Sequence, residues 1–123
     1  MKRKMSALVA GFALLGVLTA CSGEGLFDPG AVEATLTTKP EPVLSGSPAE
    51  LLVSFTGLKA GEKASVTFDI RVGDKPKLVA ATNRGNGEFG GTFTFPEKGS
   101  YTVYIHLYSG DLHLTKMKTI EVQ

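Results

Sequence analysis

Tryptophan is absent from this chain of 123 residues, and cysteine occurs once, at Cys21. A single cysteine forms no disulfide within its own chain, so a folded domain here has to be stabilised by packing and hydrogen bonds. The formal net charge is only +1, from 13 basic and 12 acidic side chains. A chain without a basic excess has no electrostatic reason to bind nucleic acid, and we expect none as a partner.

The first 20 residues have the layout of a secretory signal peptide. Three basic residues, Lys2 to Lys4, precede an apolar run from Ala7 to Ala20. A membrane-spanning helix needs about 20 apolar residues, so this shorter run favours cleavage. The segment holds three of the basic and none of the acidic residues, and its removal leaves 103 residues with a net charge of −2. The remainder is long enough for one domain with one modest core.

The end of the apolar run, Leu18-Thr19-Ala20-Cys21, resembles the lipobox of bacterial lipoproteins. That resemblance implies cleavage after Ala20 and a diacylglycerol on the Cys21 sulfur, with further acylation such as palmitate. Two acyl chains give stable anchoring where one is marginal. An ordinary signal peptide, or a retained helix with a chance cysteine, is the alternative. The hypothesis places the protein on the extracytoplasmic side of the cell membrane, held there by lipid.

Residues 21–30 follow as the lipidated cysteine and a tether. Positions 22–30 contain three glycines and a proline, a composition typical of a flexible segment. We expect the folded domain to span residues 31–123. From Ala31 onwards the apolar residues recur with a period of two, and no window of helical length shows an apolar stripe. The pattern predicts an all-β domain.

Alternating segments bounded by turn residues predict about seven strands. They lie near residues 32–36, 50–56, 64–72, 78–82, 89–95, 101–107 and 112–122, with turns over 73–76 and 83–87 between the middle ones. Short strands with turn signals at this spacing predict an immunoglobulin-like antiparallel β-sandwich, without the cysteine and tryptophan hallmarks of antibody domains. A small β-barrel is the alternative.

Enzyme signatures do not occur in the sequence. A phosphate-binding glycine loop, a nucleophile elbow, an H-E-x-x-H helix and a paired-carboxylate motif are all missing. The glycine-rich segment from Gly85 to Gly91 lies between predicted strands, where a hairpin turn followed by a crowded strand position explains it. The sequence therefore predicts a non-catalytic domain.

The last predicted hairpin carries three side chains that could bind a metal ion, His106, His113 and Met117. If Gly110-Asp111 is a two-residue turn, the two histidines are diagonal neighbours on one face, with Cβ atoms about 7–8 Å apart. Two imidazoles and a thioether on one face would favour copper(I). A three-residue turn would shift the register by one and put the histidines on opposite faces. The metal hypothesis depends on this turn, and no other cofactor is predicted.

The same histidines have a second interpretation as part of an aromatic contact surface. His106 lies between Tyr104 and Tyr108 in an alternating strand, so these side chains and His113 would share the outer face of the sheet. Exposed aromatic side chains in a patch are typical of interaction surfaces. This interpretation predicts a binding or accessory module that contacts another envelope protein.

Several C-terminal features together resemble the YtkA-like lipoproteins of Gram-positive bacteria. They are the strand Gly99-Ser100-Tyr101-Thr102-Val103, His106, the turn before His113, the Lys116 and Lys118 pair, and the closing Ile120-Glu121-Val122. The resemblance covers residues 31–123 and implies a small lipid-anchored sandwich domain with relatives near copper handling and oxidase assembly. Unlike the methionine-rich members, this chain has no methionine in the first half of the predicted sandwich.

Overall fold

The computed structural model of the protein describes residues 29–57 and 63–123. The predicted signal peptide, Cys21, most of the predicted tether and residues 58–62 lie outside the described residues. A 3-10 turn at Pro29–Ala31 is followed by eight strands. They are β1 (Glu33–Lys39), β2 (Pro48–Thr56), β3 (Ser65–Val72), β4 (Lys75–Ala80), β5 (Thr82–Gly85), β6 (Glu88–Thr94), β7 (Gly99–Ser109) and β8 (Leu112–Val122).

The strands form two antiparallel sheets that pack face to face. The first sheet has the order β1-β2-β6-β5 and the second has the order β4-β3-β7-β8. Within the described ranges the two sheets share no strand, so the all-β prediction is confirmed in its sandwich form and not in its barrel form. No helix of this part of the chain is long and apolar enough to cross a membrane.

The core lies between the two sheets and is formed by the apolar residues that recur at every second position of the strands. In β3 and β7 every second side chain is apolar and fully buried, including Phe68, Ile70, Val103 and Ile105. Facing them from the first sheet are buried residues such as Phe89, whose ring meets Phe55 edge-on. The outward positions of the same strands are mostly hydroxyl-bearing, aromatic or charged residues, so the alternation alone decides which side of each strand is buried.

Tight turns set the strand register. Asn86-Gly87 connects β5 to β6 with φ of 56° and 80°, the pattern of a type I′ turn. Gly110-Asp111 connects β7 to β8, and of these two residues only Gly110 has a positive φ, 63°, which is the type II′ pattern. The predicted two-residue turn at Gly110-Asp111 is therefore confirmed.

The middle of the chain differs from the prediction of one strand over 78–82. The chain leaves the second sheet after β4 and enters the first sheet at β5, so eight strands form where about seven were expected. The turn predicted over 73–76 contains only two loop residues, because Val72 already pairs with Lys75. Pro76 lies within β4, where a missing N–H is tolerated because β4 is an edge strand. The turn predicted over 83–87 is likewise shorter, since Asn83 pairs with Phe89 in β5.

Glycines of β6 sit where a side chain would overlap its neighbours. A Cβ at Gly91, on the inner side of the sheet, would lie 3.1 Å from Val79 Cγ1 and 3.5 Å from the Phe68 ring. A Cβ at Gly90, on the outer side, would overlap the guanidinium of Arg84. The predicted crowded strand position is confirmed.

Tyr101 closes the loop that leads into β7. Its hydroxyl donates to the carbonyl of Glu97 at 2.6 Å and accepts from the Glu97 N–H at 3.1 Å. The ring packs edge-on against Phe95, with centroids 4.8 Å apart. Because the ring is buried and its hydroxyl is fully bonded, Tyr101 ties the β6–β7 loop to the core.

The chain enters β1 at the same end of the sandwich as the β7–β8 turn. Gly57 follows β2 with a φ of 82°, and a Cβ there would overlap the carbonyl of Ala31. This end of the first sheet meets the start of β3, since Asn83 Nδ2 donates to the Ala64 carbonyl at 3.2 Å. Ser65, the first residue of β3, pairs with Tyr108, two positions before the turn.

Edge strand β8 turns charged residues towards the inner side of its sheet. Lys116 pairs with Ile105 and Lys118 with Val103, and both lysines are partly buried. Inward-pointing charges on an edge strand hinder its pairing with a strand of another molecule. Contacts of this domain with other proteins are therefore more favourable through a sheet face than through this edge.

Candidate functional site

The second sheet gathers the predicted site residues on its outer side. Strand pairing places Leu78, Asp69, Tyr104 and Met117 in one row across β4, β3, β7 and β8. The next rows towards the β7–β8 turn hold His106 beside Thr115, and then Tyr108 beside His113. We call this surface the aromatic face, and it consists of Asp69, Arg71, Leu78, Tyr104, His106, Tyr108, His113, Thr115 and Met117.

The two histidines are in direct contact. His113 Nε2 lies 3.4 Å from His106 Nδ1, and the ring centroids are 5.6 Å apart. His106 Nδ1 is also 3.1 Å from the hydroxyl oxygen of Thr115. Tyr108 stacks on His113 with centroids 4.3 Å apart and an interplanar angle of 25°. The two-residue turn thus brings together two of the three predicted metal ligands, His106 and His113, and the predicted contact residue Tyr108.

Beside the histidines lies a buried carboxylate that the sequence analysis did not identify. Asp69 is 7% exposed, and Arg71 donates to both of its oxygens, Nε–H to Oδ1 and Nη2–H to Oδ2, each at 2.9 Å. The guanidinium lies over the Tyr104 ring, 4.9 Å from its centroid. His106 Nε2 is 3.8 Å from Asp69 Oδ2. Asp69 is thus bound by Arg71 on one side and faces His106 on the other.

The Arg71 hydrogen bonds hold the pKa of Asp69 below its usual value, against the opposing effect of burial. The charges of Arg71 and His106 act in the same direction as those bonds. A carboxyl with a depressed pKa stabilises the fold above its unfolded pKa, about 3.9, and loses that contribution as the pH falls through the folded value. Asp69 therefore remains ionised at neutral pH and adds an acid-sensitive contribution to the free energy of unfolding.

An Asp69→Asn variant is expected to lose about 1–2 kcal/mol of unfolding free energy at pH 7, because a charged hydrogen-bond pair is broken. Below about pH 4 the unfolding free energy of the wild type should fall by this amount, because Asp69 becomes protonated. The variant should show no such fall. Urea unfolding followed by circular dichroism at pH 7 and pH 3 measures both effects. The matched control is Glu50→Gln, which breaks the exposed Glu50–Arg84 pair of the first sheet and should cost less. Parallel pH profiles for wild type and Asp69→Asn would contradict this role of Asp69.

The aromatic face carries three of the four large apolar side chains that are more than a third exposed among the described residues. The exposed fractions of these four side chains are 48% for Leu44, 68% for Leu78, 41% for Tyr108 and 62% for Met117. All but Leu44 lie on the aromatic face. The outer side of the first sheet instead carries Glu33, Lys39, Glu50, Arg84 and Glu88. The two sides of the sandwich therefore differ in chemistry, and the aromatic face is the side suited to a protein contact.

A metal ion would find only part of a coordination shell here. Residues 29–57 and 63–123 contain no group of three or more His, Cys, Asp or Glu side chains that could hold a metal ion. His106 and His113 supply two nitrogens at close range, and the Thr115 hydroxyl lies beside one of them. Met117 is diagonal to His106 on the same face, opposite Tyr104. Cys21, the predicted lipidation site, lies outside the described residues.

Sequence patterns contain only a weak signal for the residues that were missed. Asp69 and Arg71 are opposite charges two positions apart on a strand, so they lie on one side of it, and that spacing is a usable signal for an ion pair. Their approach to His106 depends on the pairing of β3 with β7, which joins residues far apart in the chain. Leu78 stands between Lys77 and Val79 in a segment without clean alternation, so its exposure was not predictable.

No protein-family model matches the chain, and no curated protein matches it. The resemblance to YtkA-like lipoproteins therefore remains a prediction from the sequence features described above.

Proposed function

We propose that the protein is an extracytoplasmic lipoprotein whose β-sandwich domain binds another protein of the cell envelope and has no catalytic activity of its own. The observation that carries this proposal is the concentration of exposed apolar side chains on the aromatic face. Leu78 and Met117 are the two ends of the row that contains Tyr104. The charge of Asp69 in the same row is neutralised by Arg71. Interface cores have the same composition, rich in aromatic residues and methionine and poor in unpaired charge.

The anchor is proposed from the sequence. The basic residues, the apolar run and Leu18-Thr19-Ala20-Cys21 together support lipidation of Cys21. The positions after it then connect the lipid to β1. A binding domain held in this way reaches partners in or near the same membrane. This location suits a protein-contact surface better than a site for a diffusing substrate.

Two features support the finer proposal of an immunoglobulin-like domain of the YtkA-like type. The sheet orders β1-β2-β6-β5 and β4-β3-β7-β8 correspond to strands A-B-E-D and C′-C-F-G of the immunoglobulin fold. Tyr101, at the start of β7 with its hydroxyl bonded to the Glu97 carbonyl, has the position and the bond of the tyrosine corner found in such domains. The same Tyr101 belongs to the Gly-x-Tyr strand on which the family resemblance is based.

The position of the titratable groups supports a non-catalytic role. Asp69, His106 and His113 lie on the face of a sheet, whereas catalytic groups usually line a concave pocket. Hollows of about 310 Å³ and 540 Å³ occur between β1 and β8 and beside the β6–β7 loop. The residues lining these hollows include neither histidine.

A site-specific crosslinking experiment in intact cells tests the contact surface. A photoreactive residue at position 108 should form adducts with a discrete partner, while one at position 35, on the outer side of the first sheet, should not. The double variant Leu78→Asp and Met117→Asp should reduce the adduct at least about tenfold, because charges replace exposed apolar contacts. Thr35→Asp is the matched control. Equal adducts from both sheets, or none from position 108, would refute the proposal.

The alternative is a copper-handling accessory protein that uses His106, His113 and Met117. The specific observation in its favour is the 3.4 Å contact between the two imidazole nitrogens on the face that also carries the thioether. Copper(I) prefers soft sulfur ligands and accepts imidazole. One copper(I) ion bound per chain, with binding lost in His106→Ala and weakened in Met117→Leu, is the result that this alternative requires.

A further inference from the structure

The spacing of the histidine nitrogens matches that of two ligands on a single metal ion. Imidazole nitrogens bind zinc at about 2.0–2.1 Å, and two of them on one tetrahedral ion lie about 3.3 Å apart. His106 Nδ1 and His113 Nε2 are 3.4 Å apart. The strands therefore hold the two nitrogens at the required separation, and binding needs only that both lone pairs point at the ion.

Asp69 lies near the ring nitrogen of His106 that a bound ion would leave free. If Nδ1 of His106 binds the ion, its proton resides on Nε2, which faces Asp69 Oδ2 at 3.8 Å. A carboxylate that accepts a hydrogen bond from a metal-binding imidazole fixes its tautomer and raises its basicity, and a shift of about half an ångström would bring Nε2 and Oδ2 within hydrogen-bond distance. Arg71 keeps Asp69 ionised and fixes its orientation through two hydrogen bonds. Arg71 therefore binds Asp69, Asp69 lies beside His106, and His106 contacts His113.

The pair nevertheless supplies only half of a tetrahedral site. Closed zinc sites have four protein ligands, usually nitrogen and thiolate sulfur. The described part of the chain contributes no third His, Cys, Asp or Glu to this cluster. The nearby Thr115 hydroxyl is a neutral oxygen, and the Met117 thioether is a soft ligand that suits copper(I) better than zinc. Two positions on the ion remain for ligands from another molecule.

We infer that a second copy of this chain supplies those ligands, so that one zinc-class ion bridges two aromatic faces through His106 and His113 of each copy. This inference rests on the aromatic face being the binding surface, and it deepens the proposed contact function by naming a second copy of the same lipoprotein as the protein that the face binds. A two-fold axis brings identical patches together, and two pairs of nitrogens make a four-nitrogen site. The same contact buries Leu78, Tyr108 and Met117, and the Asp69–Arg71 pairing removes charge repulsion between the faces.

Zinc titration of the lipidated protein in detergent, in which the acylated Cys21 sulfur offers no competing thiol, tests the inference. Calorimetry should give half an ion per chain, and sedimentation should show the protein mass doubling with zinc and returning to that of one chain with EDTA. His106→Ala and His113→Ala should each abolish both effects. Thr35→Ala, on the outer side of the first sheet and away from the aromatic face, should leave the stoichiometry unchanged. Asp69→Asn should weaken zinc binding about tenfold at the same stoichiometry.

The other outcomes overturn the inference in distinguishable ways. One ion per chain without a change in mass would show a site complete in a single copy. No zinc binding, or doubling that persists in the histidine variants, would show that the nitrogens do not bridge two copies. None of these results would affect the crosslink from position 108 to a partner, whose loss would instead refute the contact function itself.

Discussion

A Cys21→Ala variant is expected to move the protein from the membrane fraction to the soluble fraction or to leave it unprocessed. Lipidation contributes about 0.8 kcal/mol for each buried methylene, so loss of a diacylglycerol removes far more than any surface contact of a domain this size can supply. Metabolic labelling with a fatty-acid analogue, followed by membrane fractionation, measures label and location together. Wild-type protein should carry label and sediment with membranes, and the variant should carry none.

The matched control for this experiment is Ser22→Ala. It changes the neighbouring residue and leaves Leu18-Thr19-Ala20-Cys21 intact. The control should be labelled and sedimented like the wild type. Equal labelling of wild type and Cys21→Ala would show that the cysteine is not acylated, and the membrane location would then need another explanation.

A Phe68→Ala variant is expected to lose about 3–5 kcal/mol of unfolding free energy, the usual cost of removing a buried phenylalanine ring. Phe68 is fully buried in β3, and its ring packs near Gly91 of the opposite sheet, so the cavity would open between the two layers. Domains of this size are stable by only about 5–15 kcal/mol, so the variant should be close to unfolding at body temperature. Urea unfolding followed by circular dichroism gives the difference directly.

Thr67→Ala is the control for that substitution, because Thr67 is the adjacent residue on the outer side of the same strand. Surface changes of this kind usually alter stability by less than about 0.5 kcal/mol. A loss below about 1 kcal/mol for Phe68→Ala would contradict the tight packing between the sheets. A large loss for Thr67→Ala would show that the outer side of β3 contributes to stability.

The local part of this structure could be predicted from the sequence, and the long-range part could not. Alternation along residues 64–72 and 101–107 fixes which side chains are buried, and Gly110-Asp111 determines the facing of His106 and His113, because both are properties of neighbouring residues. The exchange of sheets between β4 and β5 has no such signal. It depends on Ala81, whose N–H bonds to the Val66 carbonyl at 2.9 Å, a contact between distant parts of the chain.

The residues of the candidate site also divide into those that a local pattern predicts and those that depend on long-range strand pairing. Tyr104, Tyr108 and the two histidines follow from the pattern of one hairpin, so their common face was predictable. Asp69 reaches His106 only because β3 lies beside β7, with Thr67 opposite His106. The carboxylate beside His106 thus comes from a strand more than 30 residues earlier, and a pattern along one hairpin does not include it.

The point where the chain enters the sandwich, beside Gly57, determines which end of the proposed lipoprotein faces the membrane. The end of the sandwich where Ala31 meets Gly57 is also the end that carries the Gly110-Asp111 turn. If Cys21 is acylated, residues 22–30 span at most about 30 Å when fully extended. The histidine end of the aromatic face would then point towards the lipid headgroups. Two copies anchored in one leaflet can meet through this face when their two-fold axis runs along the strands, with both anchors on the same side.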